Sequence, residues 1–286
     1  MKRDGPRRRP PRTQRGAPPG AADLPADPRL LRVLRLANAD GSVSADARRK
    51  LNQVGRLLEI FDPWLADMAA AAAPPIVWDL NCGSSYLGLL LADRVRRNHR
   101  REIRLFGVDR DPARIDACRR RAADAGFPDA TFVAAEAATA RLPGPPDLVV
   151  SLHGCDVATD EALRQAVRGG ARRVAVAPCC HRELRRLLRP QPPHDAFQRD
   201  GAVAQEYAAL LTDVLRAEAL RAAGYVADVI EFVPAEHTPR NRLLRGTATG
   251  RPDPRASEAL RRGTAACERP PSFADLKAEG PPAARA

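Results

Sequence analysis

The chain has 286 residues, 44% of them hydrophobic, and carries 47 Lys+Arg against 35 Asp+Glu, a formal net charge of +12. That is material for one large domain or two small ones, and no apolar run approaches the ~18 residues that a membrane span needs. Its six cysteines are too few and too clustered for a disulfide scaffold, and no signal-peptide apolar region follows the basic N-terminus. The expectation is a cytoplasmic protein with no membrane partner and no obligate protein partner.

Residues 1–28 combine Arg7, Arg8 and Arg9 with repeated prolines, and residues 1–20 hold seven basic residues and one acid, half of the net charge. Such a segment cannot offset its ordering entropy and is expected to be disordered. Lys2, Lys50 and Lys277 are the only lysines. This arginine bias reads as a property of the coding sequence, so arginine counts alone do not mark a nucleic-acid surface.

Residues 29–75 read as an N-terminal helical segment. Ser44 or Asp46 can cap a helix that places Leu51, Val54, Leu57, Leu58 and Phe61 on one face, and Pro74-Pro75 ends the region. From residue 76 to 249 strands and helices alternate. "IVWDL" (Ile76 to Leu80) predicts a buried strand, followed by a turn and a helix from Tyr86 to about Arg97. "IRLFGVD" (Ile103 to Asp109) predicts a second strand, and Pro112 starts a helix to Ala125. "ATFVAA", "DLVVSLH" and "RRVAVAP" predict three more strands, with Thr159 or Asp160 capping a helix to about Arg168. A long amphipathic helix spans about Val203 to Ala223 and stops at Gly224. "YVADVIEFV" and "RLLRGTA" end the series. Residues 250–286, again rich in proline, are expected to form a disordered C-terminal tail.

The alternation predicts an α/β, Rossmann-like parallel sheet covered on both faces, with ligands bound at the carboxyl ends of the strands. The last two strands are joined by a loop too short for a crossover helix, so they must pair antiparallel. That ending separates a methyltransferase-type sheet from an ordinary dinucleotide-binding one.

Three acids follow three consecutive strands. Asp79 precedes a tight turn, Asp109 ends the second strand where it can accept both hydroxyls of a ribose, and Glu136 stands where an adenine amine needs an acceptor. Each acid alone could merely end a strand or cap a helix. Together, in register with the turn through Asn81 and Gly83, they suit an adenosine ligand with a cationic, phosphate-free group. S-adenosylmethionine fits that description. The turn keeps only Gly83 at its centre and lacks the spaced glycines a pyrophosphate requires, which disfavours a nicotinamide-dependent oxidoreductase.

Seven ordered motifs carry a family resemblance: "KLNQVGRLLEI", "DLNCGSSYLG", "FGVDRDPARIDAC", "SLHGCDVATDEAL", "VAPCCHREL", "EYAALLTDVLRAEALRAAGY" and "EFVPAEHTPRNRLLR". From about Lys50 to Ala248 the chain resembles the bacterial branch of class I methyltransferases related to the methyltransferase-like 25 proteins. More distantly it is similar to tRNA ribose methyltransferases that share a Cys-Cys-His element. The resemblance implies a seven-stranded methyltransferase sheet and the use of S-adenosylmethionine. The family turn usually carries glycine where Asn81 stands, often lysine at the position of Ser84, and a small residue at that of Ser85. Asparagine is the non-glycine residue most tolerant of a left-handed backbone, so the turn is expected to survive.

The loops after the fourth and fifth strands form the expected reaction edge. They supply His153, Cys155, Asp156, Thr159 and Asp160, then Cys179, Cys180 and His181. Four readings of this set stand side by side. The cysteines can simply pack the sheet edge while the histidines hold carbonyls. The loops can orient a substrate nucleophile, with His153, Asp156 or His181 as proton acceptor. The set can bind zinc, although adjacent Cys179, Cys180 and His181 lack the usual ligand spacing, and no metal is assigned. Finally, a cysteine can attack a pyrimidine carbon. Glu236, His237 and Asn241 sit in the loop between the last strands, and residues 190–201 form either a substrate-gating insertion or a surface loop. RNA is the favoured methyl acceptor, from the basic tail and from Arg182, Arg185, Arg186 and Arg189 beside the reaction edge. A non-catalytic module that binds S-adenosylmethionine or RNA is the alternative.

Overall fold

The structure, a computed structural model, describes residues 26–276 except 153, 193 and 234–240. Seven strands make one sheet: β1 (Ile76–Leu80), β2 (Arg104–Asp109), β3 (Thr131–Ala134), β4 (Leu148–Leu152), β5 (Arg173–Ala177), β6 (Tyr225–Glu231) and β7 (Arg242–Ala248). Their order is β3-β2-β1-β4-β5-β7-β6. Strands β1 to β5 run parallel, and β7 pairs antiparallel with both β5 and β6. The seven-stranded sheet with its antiparallel strand is the one expected from the sequence.

The parallel strands read as near-continuous apolar runs because both faces are buried, and successive residues go to opposite layers. Val77, Leu105, Leu148 and Val150 pack into one core, with α1 (Pro28–Val33), α2 (Ala45–Ala69), α3 (Tyr86–His99) and α4 (Pro112–Asp124). Trp78, Phe106, Val149 and Val174 pack into the other, with α5 (Val157–Arg168), α6 (Arg182–Leu187), α7 (Gly201–Ala222) and α8 (Pro254–Thr264).

Ser44 is the cap of α2, its side chain accepting a hydrogen bond from the Ala47 amide at 3.2 Å. The helix continues past Pro63 because Leu65 and Met68 beyond it are buried in the first core; that burial outweighs the missing backbone donor. Helix α5 starts at Val157 with Asp156 as its cap position, so Thr159 and Asp160 lie inside it rather than capping it.

Residues 250–276 correct the expectation of a disordered tail. Pro254 occupies the first turn of α8, where proline is tolerated, and the Asp253 side chain accepts from the Arg255 amide at 2.8 Å. Leu260, Phe273 and Leu276 are buried in the second core, and the Ser272 amide and hydroxyl both donate to Glu183 of α6. Helix α8 meets α7 closely at Gly263, where a Cβ would come within 2.3 Å of Leu215. No helix among the described residues is long and apolar enough to cross a membrane.

Candidate functional site

A cavity of about 530 Å³ opens at the carboxyl ends of the parallel strands, and Asp79, Asn81, Gly83, Asp109 and Glu136 all line it. The sheet register explains the convergence. Asp79 pairs with Gly107 and Asp109 with Ala134, so Asp109 and then Glu136 each stand two residues beyond the level of the preceding acid, and the three step along the same edge.

The turn after β1 adopts the left-handed backbone at three positions: Asn81 at φ +58°, Gly83 at +54° and Ser85 at +51°. Asn81 thus takes the conformation for which glycine is the usual solution, and its side chain helps hold it. The Asn81 Nδ2 donates to Ser151 Oγ at 3.2 Å and to the Ala158 carbonyl at 3.1 Å, tying the turn to β4 and α5. Asp109 braces the other side, accepting from the Gly83 amide at 2.9 Å and the Asp111 amide at 3.0 Å, one on each carboxylate oxygen. Each oxygen retains acceptor capacity for a ligand hydroxyl.

Asp79 is 2% exposed and accepts from the Ser85 hydroxyl at 3.0 Å. Burial pushes its carboxyl up to about 7, against the opposing hydrogen bond from Ser85. The close approach of α3 to this acid depends on Gly88, where a Cβ would lie 2.6 Å from the Asp79 carboxylate. Gly88 and Ser85 escaped the sequence reading as site residues. A glycine one turn into an otherwise leucine-rich helix was the available signal. Tyr86, Leu87 and Arg114 also line the cavity and were not anticipated.

The reaction edge is divided. Gly154 and Cys155 line the cavity, whereas Asp156, Cys179, Cys180 and His181 do not. Asp156 accepts from the Arg182 and Glu183 amides at 2.8 and 2.9 Å and so caps the start of α6, with Arg186 at 3.6 Å from its other oxygen. His181 is buried, its Nε2 paired with Asp213 of α7 at 2.7 Å. Burial alone would raise the Asp213 carboxyl, but the His181 hydrogen bond and the charges of His181, Arg242 and Arg216 outweigh it and hold it below its ordinary value. Asp160 is buried against Arg216, 2.6 Å away, and Arg216 also donates to the Asp156 carbonyl at 2.9 Å. Burial raises Asp160 to about 6 even so. The sulfurs of Cys155, Cys179 and Cys180 lie within 4.8 Å of one another.

His153, Glu236 and His237 lie outside the described residues. Asn241 is buried and closes the β6–β7 connection, its side chain donating to the Val233 carbonyl at 3.0 Å. In the stretch 190–201, Phe197 stacks on Tyr207 with ring centroids 4.4 Å apart, and neither residue lines the cavity.

Residues 49–187 match a family model described as a methyltransferase domain. No curated protein matches the sequence. Among solved structures, magnesium protoporphyrin IX methyltransferase from Synechocystis with bound S-adenosylhomocysteine is 15% identical, with a TM-score of 0.44 over 77% of this chain and 93% of that one. An rRNA methylase from Streptococcus thermophilus is 14% identical, with a TM-score of 0.43 over 67% of this chain and 96% of that one. A ribosomal protein L11 methylase from Lactobacillus delbrueckii subsp. bulgaricus is 14% identical, with a TM-score of 0.41 over 68% and 78%. These likenesses are too distant to transmit an acceptor or a site residue. The family-model match across residues 49–187, set on a sheet of this order with three acids at neighbouring strand ends around one cavity, marks a methyltransferase domain that uses S-adenosylmethionine.

Proposed function

We propose that the protein methylates RNA, with the methyl donor held by Asp79, Asn81, Gly83, Asp109 and Glu136. The observation that carries the cofactor assignment is the convergence of the three acids on one cavity. In this reading Asp79 faces the cofactor ammonium, Asp109 takes the ribose hydroxyls and Glu136 accepts from the adenine amine. The Asn81–Ser85 turn sets the backbone against the ligand.

When bound, S-adenosylmethionine would supply a methyl carbon open to displacement: the acceptor's lone pair would form the new bond as the carbon–sulfur bond broke, the bonding pair returning to sulfur to give a neutral thioether. The acceptor's proton passes to a base or to water. We assign that base to His153. Asp156 and His181, each already held by other groups, position the two loops. Alignment of acceptor, methyl and sulfur supplies most of the acceleration such a site can give.

Exposed Arg182, Arg186 and Arg189, on and just past the short helix α6 that follows the β5 loop, support RNA as the acceptor, since guanidinium groups suit phosphates. The resemblance to the methyltransferase-like 25 proteins and to the Cys-Cys-His tRNA enzymes rests on the motifs alone. A reducing cytoplasm fits three neighbouring thiols.

The test has two parts. Calorimetric titration of S-adenosylmethionine and S-adenosylhomocysteine, with NAD as control, is expected to show binding of the adenosyl ligands alone. Incubation with methyl-labelled donor, total RNA and cell protein is then expected to give nuclease-sensitive label. Label confined to protein or small molecules overturns RNA as acceptor, and binding without any transfer favours a non-catalytic module.

A further inference from the structure

We propose that Cys155, Cys179 and Cys180 form a three-thiolate site for one zinc ion at the rim of the cofactor cavity. Spacing along the chain argued against zinc, because Cys179, Cys180 and His181 are consecutive. The fold changes the ligand set. His181 is withdrawn into a pair with Asp213, and Cys155 arrives from a different loop to replace it.

The sheet places the three sulfurs together. Strands β4 and β5 pair in parallel with Leu152 opposite Ala177, so the loops leaving them start side by side. Cys155 stands three residues past the end of β4, and Cys179 and Cys180 two and three past the end of β5. The structure holds Cys179 and Cys180 sulfurs 3.8 Å apart and Cys155 and Cys179 sulfurs 3.0 Å apart. Tetrahedral zinc with zinc–sulfur bonds of ~2.3 Å needs sulfur separations of roughly 3.8 Å. The first pair is therefore already at bonding spacing. The second must open slightly, which exposed Cys155 is free to do.

Both loops are fixed from behind. Asp156, the neighbour of Cys155, caps α6; His181, the neighbour of Cys180, is clamped by Asp213; and Arg216 joins the two, bonded to Asp160 and the Asp156 carbonyl on one side and 3.9 Å from Asp213 on the other. Orientation of ligands by bonded neighbours is the arrangement that metal sites use. Three protein ligands leave a fourth coordination position, the pattern of reactive rather than closed zinc sites. Since Cys155 lines the cavity, that position lies near the space assigned to the methyl donor; this last point rests on the proposed cofactor reading, whereas the ion site itself does not.

The full chain, purified in a phosphine reductant that keeps the thiols reduced, is assayed for zinc by elemental mass spectrometry and then titrated with cadmium alone after zinc removal. The expected result is one zinc per chain and a thiolate-to-cadmium ultraviolet band that saturates at one equivalent. Cys155→Ser, Cys179→Ser and Cys180→Ser are each expected to weaken cadmium binding at least about tenfold and to lower the band by roughly one third, as one of three thiolates is lost. Cys267→Ala, remote in the C-terminal segment, leaves both unchanged. S-adenosylhomocysteine binding by the same variants reads the fold and the cofactor pocket separately from the metal. Absence of the band in the reduced wild-type chain, or a band that survives all three substitutions, overturns the site, whatever the cofactor titration shows.

Discussion

The cofactor half and the reaction half of the carboxyl edge are built on opposite principles. Around β1 to β3 the acids face an open cavity, and backbone amides and one hydroxyl hold them. Beyond β4 and β5 the charged groups face inward and hold one another. His181 pairs with Asp213, Asp213 with Arg242, and Asp160 with Arg216, all reaching to α7 or β7. A ligand pocket needs acids with spare acceptor capacity. A loop scaffold needs its charges consumed. The same residue types at neighbouring strand ends thus line an open cavity on one side and are consumed in mutual pairs on the other.

The sharpest break of that contrast is Arg216→Met. Arg216 is 1% exposed and is the charge partner of Asp160. Removing one member of a buried pair strands the other and is expected to cost about 3–5 kcal/mol, read as a large fall in chemical-denaturation midpoint. Asp160 supplies a pH signature. Its folded carboxyl sits above the unfolded value, so its protonated form favours the fold at low pH and that contribution is lost as pH rises through about 6. Without Arg216 the carboxyl rises further, so the deficit of the variant should grow from acidic to neutral pH. A deficit that is flat with pH would remove Asp160 from the explanation.

On the cofactor side, Asp109→Asn keeps the shape of the side chain but removes its charge. A charge-assisted hydrogen bond contributes about 1.5–3 kcal/mol, so S-adenosylhomocysteine affinity should fall roughly 10- to 150-fold by calorimetry; folding weakens as well, by about 1–3 kcal/mol, because the Gly83 or the Asp111 amide then faces an NH2 group instead of an acceptor. Undiminished affinity would sink the ribose assignment. Asp79 sharpens the point through pH. Its carboxyl, raised by burial to about 7, is protonated below that value and then attracts an ammonium only weakly. S-adenosylhomocysteine affinity should therefore weaken as pH falls through about 7. The ligand-free protein should do the reverse, because ionising a buried carboxyl disfavours the fold as pH rises toward the same value. Asp79→Asn is expected to flatten both profiles.

The contrast also explains what the sequence could reveal. Strands were legible because a parallel sheet buried on both faces demands apolar runs, and the strand-end acids were legible because each sits next to the run that positions it. The turn was legible at Asn81, whose tolerance of positive φ the structure uses. Asp156 and His181 misled because their partners are remote: the Glu183 amide lies 27 residues from Asp156, and Asp213 lies 32 from His181. A charged residue on a long apolar helix reads as a solvated face until the fold shows Asp213 and Arg216 buried. The C-terminal segment was misread for a related reason. Its prolines suggested a tail, whereas the few anchors that order it, Leu260, Phe273 and Leu276, are widely spaced and gain their burial only against α7 and the second core.

The smallest expected effect tests the finest part of the cofactor assignment. Glu136 is exposed, unlike Asp79, and its place in the cavity wall suits a single hydrogen bond from a neutral amine. Glu136→Gln retains a carbonyl acceptor at that place, so the loss in S-adenosylhomocysteine affinity should stay within about 0.5–1 kcal/mol, no more than roughly fivefold. A loss as large as that of Asp109→Asn would mean that Glu136 meets a cationic or hydroxyl-bearing part of the ligand, and the ligand would have to be turned in the cavity. A ligand-free readout accompanies this. Glu161 is raised above the ordinary carboxylate range by its partial burial and next by the Glu136 charge. Carboxyl titration followed by NMR should show Glu161 move down in Glu136→Gln, toward the value set by burial against the charges of Arg164 and Arg110. If affinity holds and Glu161 shifts, the substitution has altered the electrostatics of the wall without touching the ligand's anchor, as an exposed acceptor for an uncharged amine requires.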